Sequence, residues 1–180
     1  NDILELVALA LLEPGSGVVY SKHAFAVYRL ATQARGARHI VVPAQQLGHD
    51  LPAMLEAIDD TTRLVFIANP NNPTGTYLPN AQVEHFLSEV EKHHGTRVTV
   101  VLDEAYNEFL EPEQRVDSVA LVKRYANLVV SRSFSKAYGL AGLRVGFAMA
   151  QPALTDLLNR VRQPFNVNSL AQAAAIAALQ

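Results

Sequence analysis

A single lysine, Lys136, sits among hydroxyls, glycines and an arginine in the run Ser133-Phe134-Ser135-Lys136-Ala137-Tyr138-Gly139-Leu140-Ala141-Gly142-Leu143-Arg144. The run lies between two apolar stretches, Leu128-Val129-Val130 and Val145-Gly146-Phe147, that read as strands. Lys136 therefore falls just past the end of a buried strand. Ser133, Ser135 and Arg144 around it meet the needs of a phosphate monoester, whose oxygens accept several charge-assisted hydrogen bonds at once. A primary amine beside such a cup suits condensation with the aldehyde of a phosphorylated cofactor, and pyridoxal phosphate answers that description.

Two further segments point the same way. Val100-Val101-Leu102-Asp103-Glu104-Ala105-Tyr106 is an apolar run ending in a carboxylate, with a phenol three residues on. A carboxylate at Asp103 can keep a pyridine nitrogen protonated, which turns the ring into an electron sink, and the Tyr106 hydroxyl can bond the ring's 3′ oxygen. Ile67-Ala68-Asn69-Pro70-Asn71-Asn72-Pro73-Thr74-Gly75 follows the apolar run Leu64-Val65-Phe66. Asn72 can donate to that same oxygen, held rigidly by Pro73, where a cis peptide bond is admissible.

Asn72-Pro73-Thr74-Gly75, Asp103-Glu104-Ala105-Tyr106, and Ser133-x-Ser135-Lys136 with Arg144 resemble the class I/II aminotransferases of the fold-type I pyridoxal-phosphate enzymes. Within them, Asn71 to Gly75, Tyr106-x-Glu108-Phe109 and Lys136 to Arg144 are most similar to the histidinol-phosphate aminotransferase branch. The resemblance runs in order from about residue 1 to the end of the chain.

It implies a role for each matching residue. Lys136 condenses with the cofactor and later moves the proton between substrate Cα and the cofactor. Asp103 is the partner of the ring nitrogen, Tyr106 and Asn72 are partners of the 3′ oxygen, and Ser133, Ser135 and Arg144 form the phosphate cup. Phe25 falls where the family stacks an aromatic ring on the cofactor. Asn1 falls at the end of a phosphate loop entering a helix, so that its backbone N–H would complete the cup. The resemblance further implies amino transfer between an amino acid or amino-alcohol phosphate and a 2-oxo acid, here L-histidinol phosphate and 2-oxoglutarate, in histidine biosynthesis. It also implies a cytoplasmic homodimer. Relative to that family, residues 1–180 are expected to be the cofactor-binding large domain, without the N-terminal arm and the C-terminal small domain. Little or no turnover is then expected of the chain by itself.

These side chains need a scaffold, and the hydrophobic periodicity supplies one. Helices are expected over Ile3–Leu12, Ala24–Ala34, Leu51–Ile58, Ala81–His94, Val116–Tyr125, Ala153–Arg162 and Ser169–Leu179. Strands are expected over Gly17–Tyr20, His39–Val42, Arg63–Ala68, Arg97–Leu102, Asn127–Val130 and Val145–Met149. Alternation of this kind predicts a three-layer α/β/α fold with a mostly parallel sheet. The last two strands are joined by a segment barely long enough for a crossover helix, so they are expected to pair antiparallel. All three chemical segments follow strands, at the sheet edge where ligands bind in open α/β folds.

Composition bounds the alternatives. At 180 residues and 49% apolar content the chain can core one globular domain. With 15 basic and 17 acidic residues, a net charge of −2 and no basic run, nucleic acid and anionic membranes are unexpected partners. There is no cysteine, hence no disulfide framework or thiolate metal site, and the six histidines lack metal-ligand spacing.

Structural roles compete at each position. Lys136 could be an ordinary loop lysine, Asp103 a helix N-cap and Asn72 to Gly75 only a tight turn. Ser133 and Ser135 could cap a helix near Lys136, Arg144 could serve a surface ion pair, and Phe25 could be core. Glu108 to Glu113 reads as a solvated loop, Arg132 as a side chain pointing away from the crevice, and His93-His94 as a favourable helix C-terminus. Burial beside cations would lower the pKa of Lys136 in the direction nucleophilic attack requires. An aromatic aminotransferase or a threonine-phosphate decarboxylase-like lyase would share the cofactor residues. A non-catalytic sensor domain joined to a DNA-binding module finds no support in the balanced charge.

Overall fold

The computed structural model describes residues 1–180. The helices are α1 (Asp2–Leu11), α2 (Ala26–Ala34), α3 (Leu51–Glu56), α4 (Asn80–His94), α5 (Ser118–Arg124), α6 (Pro152–Val161) and α7 (Ser169–Ala178). The strands are β1 (Gly17–Ser21), β2 (Arg38–Val42), β3 (Thr62–Ala68), β4 (Thr99–Asp103), β5 (Leu128–Ser133) and β6 (Gly146–Ala150). They form one six-stranded sheet in the order β2-β1-β3-β4-β5-β6. All pairings are parallel except β5 with β6, which is antiparallel as the short connection predicts.

Period-2 alternation assigns each strand side chain to one of two apolar layers. Val65, Ile67, Val100, Leu102, Leu128 and Val130 face α3, α4 and α5, packing on Met54, Phe86, Leu87 and Leu121. Leu64, Phe66, Val101 and Val129 face α1 and α2, packing on Leu4, Val7, Tyr28 and Ala31. Central strands buried on both faces read as unbroken apolar runs, which is why their cores were legible.

Of the boundaries that differ from the expected ones, three bear on candidate site residues. β4 begins at Thr99 because Gly95–Arg97 forms a 3-10 turn, and it runs on to include Asp103. β5 continues through Ser131, Arg132 and Ser133, beyond the point where the apolar run stops. The ladder does not require apolar side chains once the strand passes the core. Finally, α2 begins at Ala26, leaving Phe25 extended at its N-cap. Phe25 packs partly buried against the α1/α2 layer and also borders the crevice.

Register completes the positioning. Ala68 pairs with Asp103, and Asp103 with Ser131, so one row crosses β3, β4 and β5 on the α1/α2 face. Farther out, Ser133 pairs with Gly146 of β6. No side chain fits at Gly146, since a Cβ there would lie 2.7 Å from the Arg132 carbonyl oxygen. No helix is long and apolar enough to cross a membrane.

Candidate active site

The strand ends of β3, β4 and β5 and the N-terminus of α1 enclose a crevice of about 250 Å³. Every residue singled out from the sequence borders it: Asn1, Phe25, Asn72, Asp103, Tyr106, Ser133, Ser135, Lys136 and Arg144. Such convergence from distant segments follows from strand order, because parallel strands deliver their following loops to one edge.

Asp103 forms the floor. It is 9% exposed. Its Oδ2 accepts from the Tyr28 hydroxyl at 2.9 Å. Its Oδ1 accepts from the Ser131 hydroxyl at 3.2 Å and from the Ala105 N–H at 3.2 Å. The last bond is the capping-type role weighed above, and it coexists with the other two. Burial pushes the Asp103 carboxyl above its ordinary value, against the lowering effect of these donors. No lysine or arginine side chain pairs with it.

Above the floor, Asn72 Nδ2 donates to the Tyr106 hydroxyl at 3.4 Å. The Lys136 amine lies 5.5 Å from the centre of the Tyr106 ring, over its face, a cation–π arrangement. The peptide bonds before Pro70 and Pro73 are both cis. Asn71 ties the Asn72 turn down by donating to the His23 carbonyl at 2.7 Å and to Thr74 Oγ1 at 2.7 Å. The burial expected for Lys136 is not found. Its side chain is exposed, because the turn after β5 carries it beyond the sheet edge where nothing in this chain covers it.

Along the rim, Ser133 Oγ accepts from the Ser135 N–H at 3.0 Å, a local turn rather than a helix cap. Arg144 makes no ion pair; it adopts left-handed backbone (φ 57°) and donates to the Ala141 carbonyl at 2.7 Å. Phe25 meets Tyr28 edge-on, with ring centres 6.0 Å apart.

Behind the crevice, on the α5 face, Arg132 donates through Nε to Glu104 Oε2 at 2.9 Å and through Nη2 to Ser118 Oγ at 3.0 Å. Its side chain points away from the crevice, as alternation dictates. Ser118 also donates to Glu104, at 2.7 and 2.8 Å to its two oxygens. Burial raises the Glu104 carboxyl, opposed by Ser118 and Arg132. Glu108 approaches the Arg132 guanidinium at 3.7 Å, so the stretch from Glu108 is not uniformly solvated. Its first residue turns inward because Arg132 offers a half-buried cation.

Sequence reasoning missed Tyr28 and Ser131. Both signals were present: Ser131 stands two residues before Ser133, hence on the same strand face, and Tyr28 stands three after Phe25. A serine inside an apolar strand and a tyrosine on a core-facing helix stripe were absorbed into packing.

The family model for aminotransferase class I and II matches residues 1–180. The chain belongs to the class I and II aminotransferase family. It is 67% identical over 179 residues to histidinol-phosphate aminotransferase 2 of Ralstonia nicotianae, covering 99% of this chain and 47% of that protein. Among solved structures, it resembles histidinol-phosphate aminotransferase from Sinorhizobium meliloti in complex with pyridoxal-5′-phosphate. There the TM-score is 0.91 at 31% identity, with 98% of this chain and 47% of the other covered. It also resembles L-threonine-O-3-phosphate decarboxylase from Porphyromonas gingivalis, with a TM-score of 0.82 at 27% identity over 98% of this chain and 50% of the other. The chain spans about half the length of the curated relatives it matches. Membership in this aminotransferase family accords with the mostly parallel sheet, its one antiparallel pair and the crevice at its edge.

Proposed function

We propose that residues 1–180 form the pyridoxal-phosphate-binding unit of an aminotransferase that exchanges the amino group of L-histidinol phosphate with 2-oxoglutarate. The observation that carries the reading is the donor set of the crevice: a buried carboxylate lacking a cationic side chain, a phenol–amide pair, and an amine flanked by hydroxyls and a guanidinium. These residues fit the cofactor. A carboxylate offers about four lone-pair positions, and Asp103 uses three, which leaves one for a protonated ring nitrogen. The substrate assignment is supported by the 67% identity to the Ralstonia nicotianae enzyme of that name.

When bound, pyridoxal phosphate supplies an aldehyde that receives the amino group and a ring that withdraws electrons from the reacting carbon. Asp103 holds the proton on the ring nitrogen and so preserves that withdrawal. Tyr106 and Asn72 would donate toward the 3′ oxygen and so orient the ring. Ser133, Ser135, Arg144 and the Asn1 backbone N–H bind phosphate, while Phe25 forms a wall. Lys136 Nζ is the nucleophilic amine and carries the proton to and from substrate Cα.

Incubation with pyridoxal phosphate, borohydride reduction and peptide mass spectrometry tests the site: one adduct at Lys136 is expected, and scattered labelling overturns it. Turnover of histidinol phosphate against aromatic amino acids and threonine phosphate tests the substrate in the whole protein. We further propose that the whole protein is a cytoplasmic homodimer. The exposed apolar side chains of Phe165 before α7, Leu170 and Ile176 on it and Leu179 at its end support a buried contact there. Light scattering at the mass of a monomer would overturn it.

A further inference from the structure

We propose that Tyr28 is a positioning residue that acts through Asp103 on the cofactor's ring nitrogen; the proposal rests on reading the crevice as a pyridoxal-phosphate site. Tyr28 is fully buried, at 0% exposure, in the α1/α2 layer. Its ring stacks on Phe66 with centres 4.5 Å apart and planes within 2°, and the ring of Phe25 meets it edge-on. Held on both sides, the ring has no freedom to redirect its hydroxyl. That hydroxyl makes one side-chain hydrogen bond, to Asp103 Oδ2 at 2.9 Å.

Packing alone does not account for the hydroxyl. A phenylalanine would stack on Phe66 equally well without the cost of burying a phenol oxygen. The hydroxyl instead donates to a carboxylate, a charge-assisted bond. With Ser131 and the Ala105 N–H fixing Oδ1, the Tyr28 bond on Oδ2 sets the rotation of the carboxylate and determines which lone pair stays open to the crevice. Desolvation and the Asp103 charge both raise the Tyr28 phenol well above its ordinary value, so it remains a donor throughout the neutral range. The same residue thereby joins the crevice floor at Asp103 to its wall at Phe25.

The discriminating experiment measures binding of two ligands to the cofactor-free whole protein: pyridoxal phosphate, and its analogue with carbon in place of the ring nitrogen. Tyr28→Phe is expected to weaken pyridoxal phosphate about tenfold while leaving the carbon analogue unchanged. In an Asp103→Asn background the same substitution is expected to have no further effect. Equal weakening of both ligands, no weakening of either, or a full effect in the Asp103→Asn background would each overturn the proposal and return Tyr28 to a packing role. Failure of the unsubstituted protein to bind pyridoxal phosphate would instead sink the reading of the crevice itself.

Discussion

Asp103 ends β4 and Glu104 follows it, and the two adjacent carboxylates go to opposite faces of the sheet with opposite fates. Glu104 finds Arg132 and Ser118, whereas Asp103 finds only hydroxyls and a backbone N–H. Asp103 is therefore a charge that binding of a cation would satisfy, and without one it weakens the fold. Its folded pKa is raised by burial above the ordinary 3.8. A carboxyl raised in this way contributes stability that is fully present below its unfolded pKa and is lost as pH rises through the folded value. Asp103→Asn should therefore raise the melting temperature of the cofactor-free protein at neutral pH. The gain should shrink as pH falls into the raised range and vanish below about pH 4. A melting temperature lowered at pH 7 would contradict this account. Lys136 behaves differently. Because its side chain is exposed, Lys136→Ala should leave the melting temperature within about 1–2 °C while abolishing cofactor attachment and amino transfer. Retained transfer in that variant would remove Lys136 from the mechanism.

At the scale of elements, the junction of β4, β5 and β6 sets the crevice geometry. Arg132 ties Glu104, at the end of β4, and Glu108, beyond Tyr106, to the middle of the Ser131–Ser133 segment. Arg132→Met would leave Glu104 buried with only Ser118 for a partner. Because the Arg132 side chain is 24% exposed, the cost should be about 2–3 kcal/mol, at or below the usual range for breaking a buried pair. Adding Glu104→Gln should restore part of that loss, as chemical denaturation of the single and double variants would show; an additive further loss would deny the coupling. Gly146→Ala probes the facing pair, since its Cβ would meet backbone oxygen that cannot move without parting β5 from β6. About 1–3 kcal/mol of destabilisation is expected, with weaker phosphate binding. Gly142→Ala, where the added carbon meets nothing within 4 Å, is the matched control and should be near neutral. These same strand ends mark the limit of what the sequence disclosed. Apolar runs located the sheet and its order of chemistry, but a run ends where the core ends, whereas the ladder extends through Asp103 and Ser133. Tyr28 and Ser131 were hidden for a related reason: hydrophobic pattern reports burial, not the partner a buried hydroxyl finds. The exposure of Lys136 was not legible either, because it depends on what lies above the sheet edge rather than on the residues of its own turn.

For the molecule as a whole, the arrangement couples ligand binding to stability. Two apolar layers carry the fold, and the crevice lies at the sheet edge, bordered by Leu4, Tyr28 and Ala68 of the α1/α2 layer. The site residues belong to different segments, so they converge only when the whole sheet is assembled. A ligand that needs all of them binds the folded state and not the unfolded chain, and it must stabilise by mass action. Pyridoxal phosphate at a hundred times its dissociation constant should add about 2.7 kcal/mol, with a melting temperature that keeps rising with the logarithm of concentration. Two dissections of that gain are decisive. Pyridoxal lacks the phosphate and forgoes Ser133, Ser135 and Arg144, so at equal concentration it should give a much smaller shift. In Asp103→Asn the ranking should invert: the variant melts higher than the parent without ligand, yet gains less from saturating pyridoxal phosphate. That crossing would tie the cost of the buried carboxylate to its use. Parallel rises in both proteins would mean that the cofactor is held without reference to Asp103, and the floor of the crevice would need another explanation.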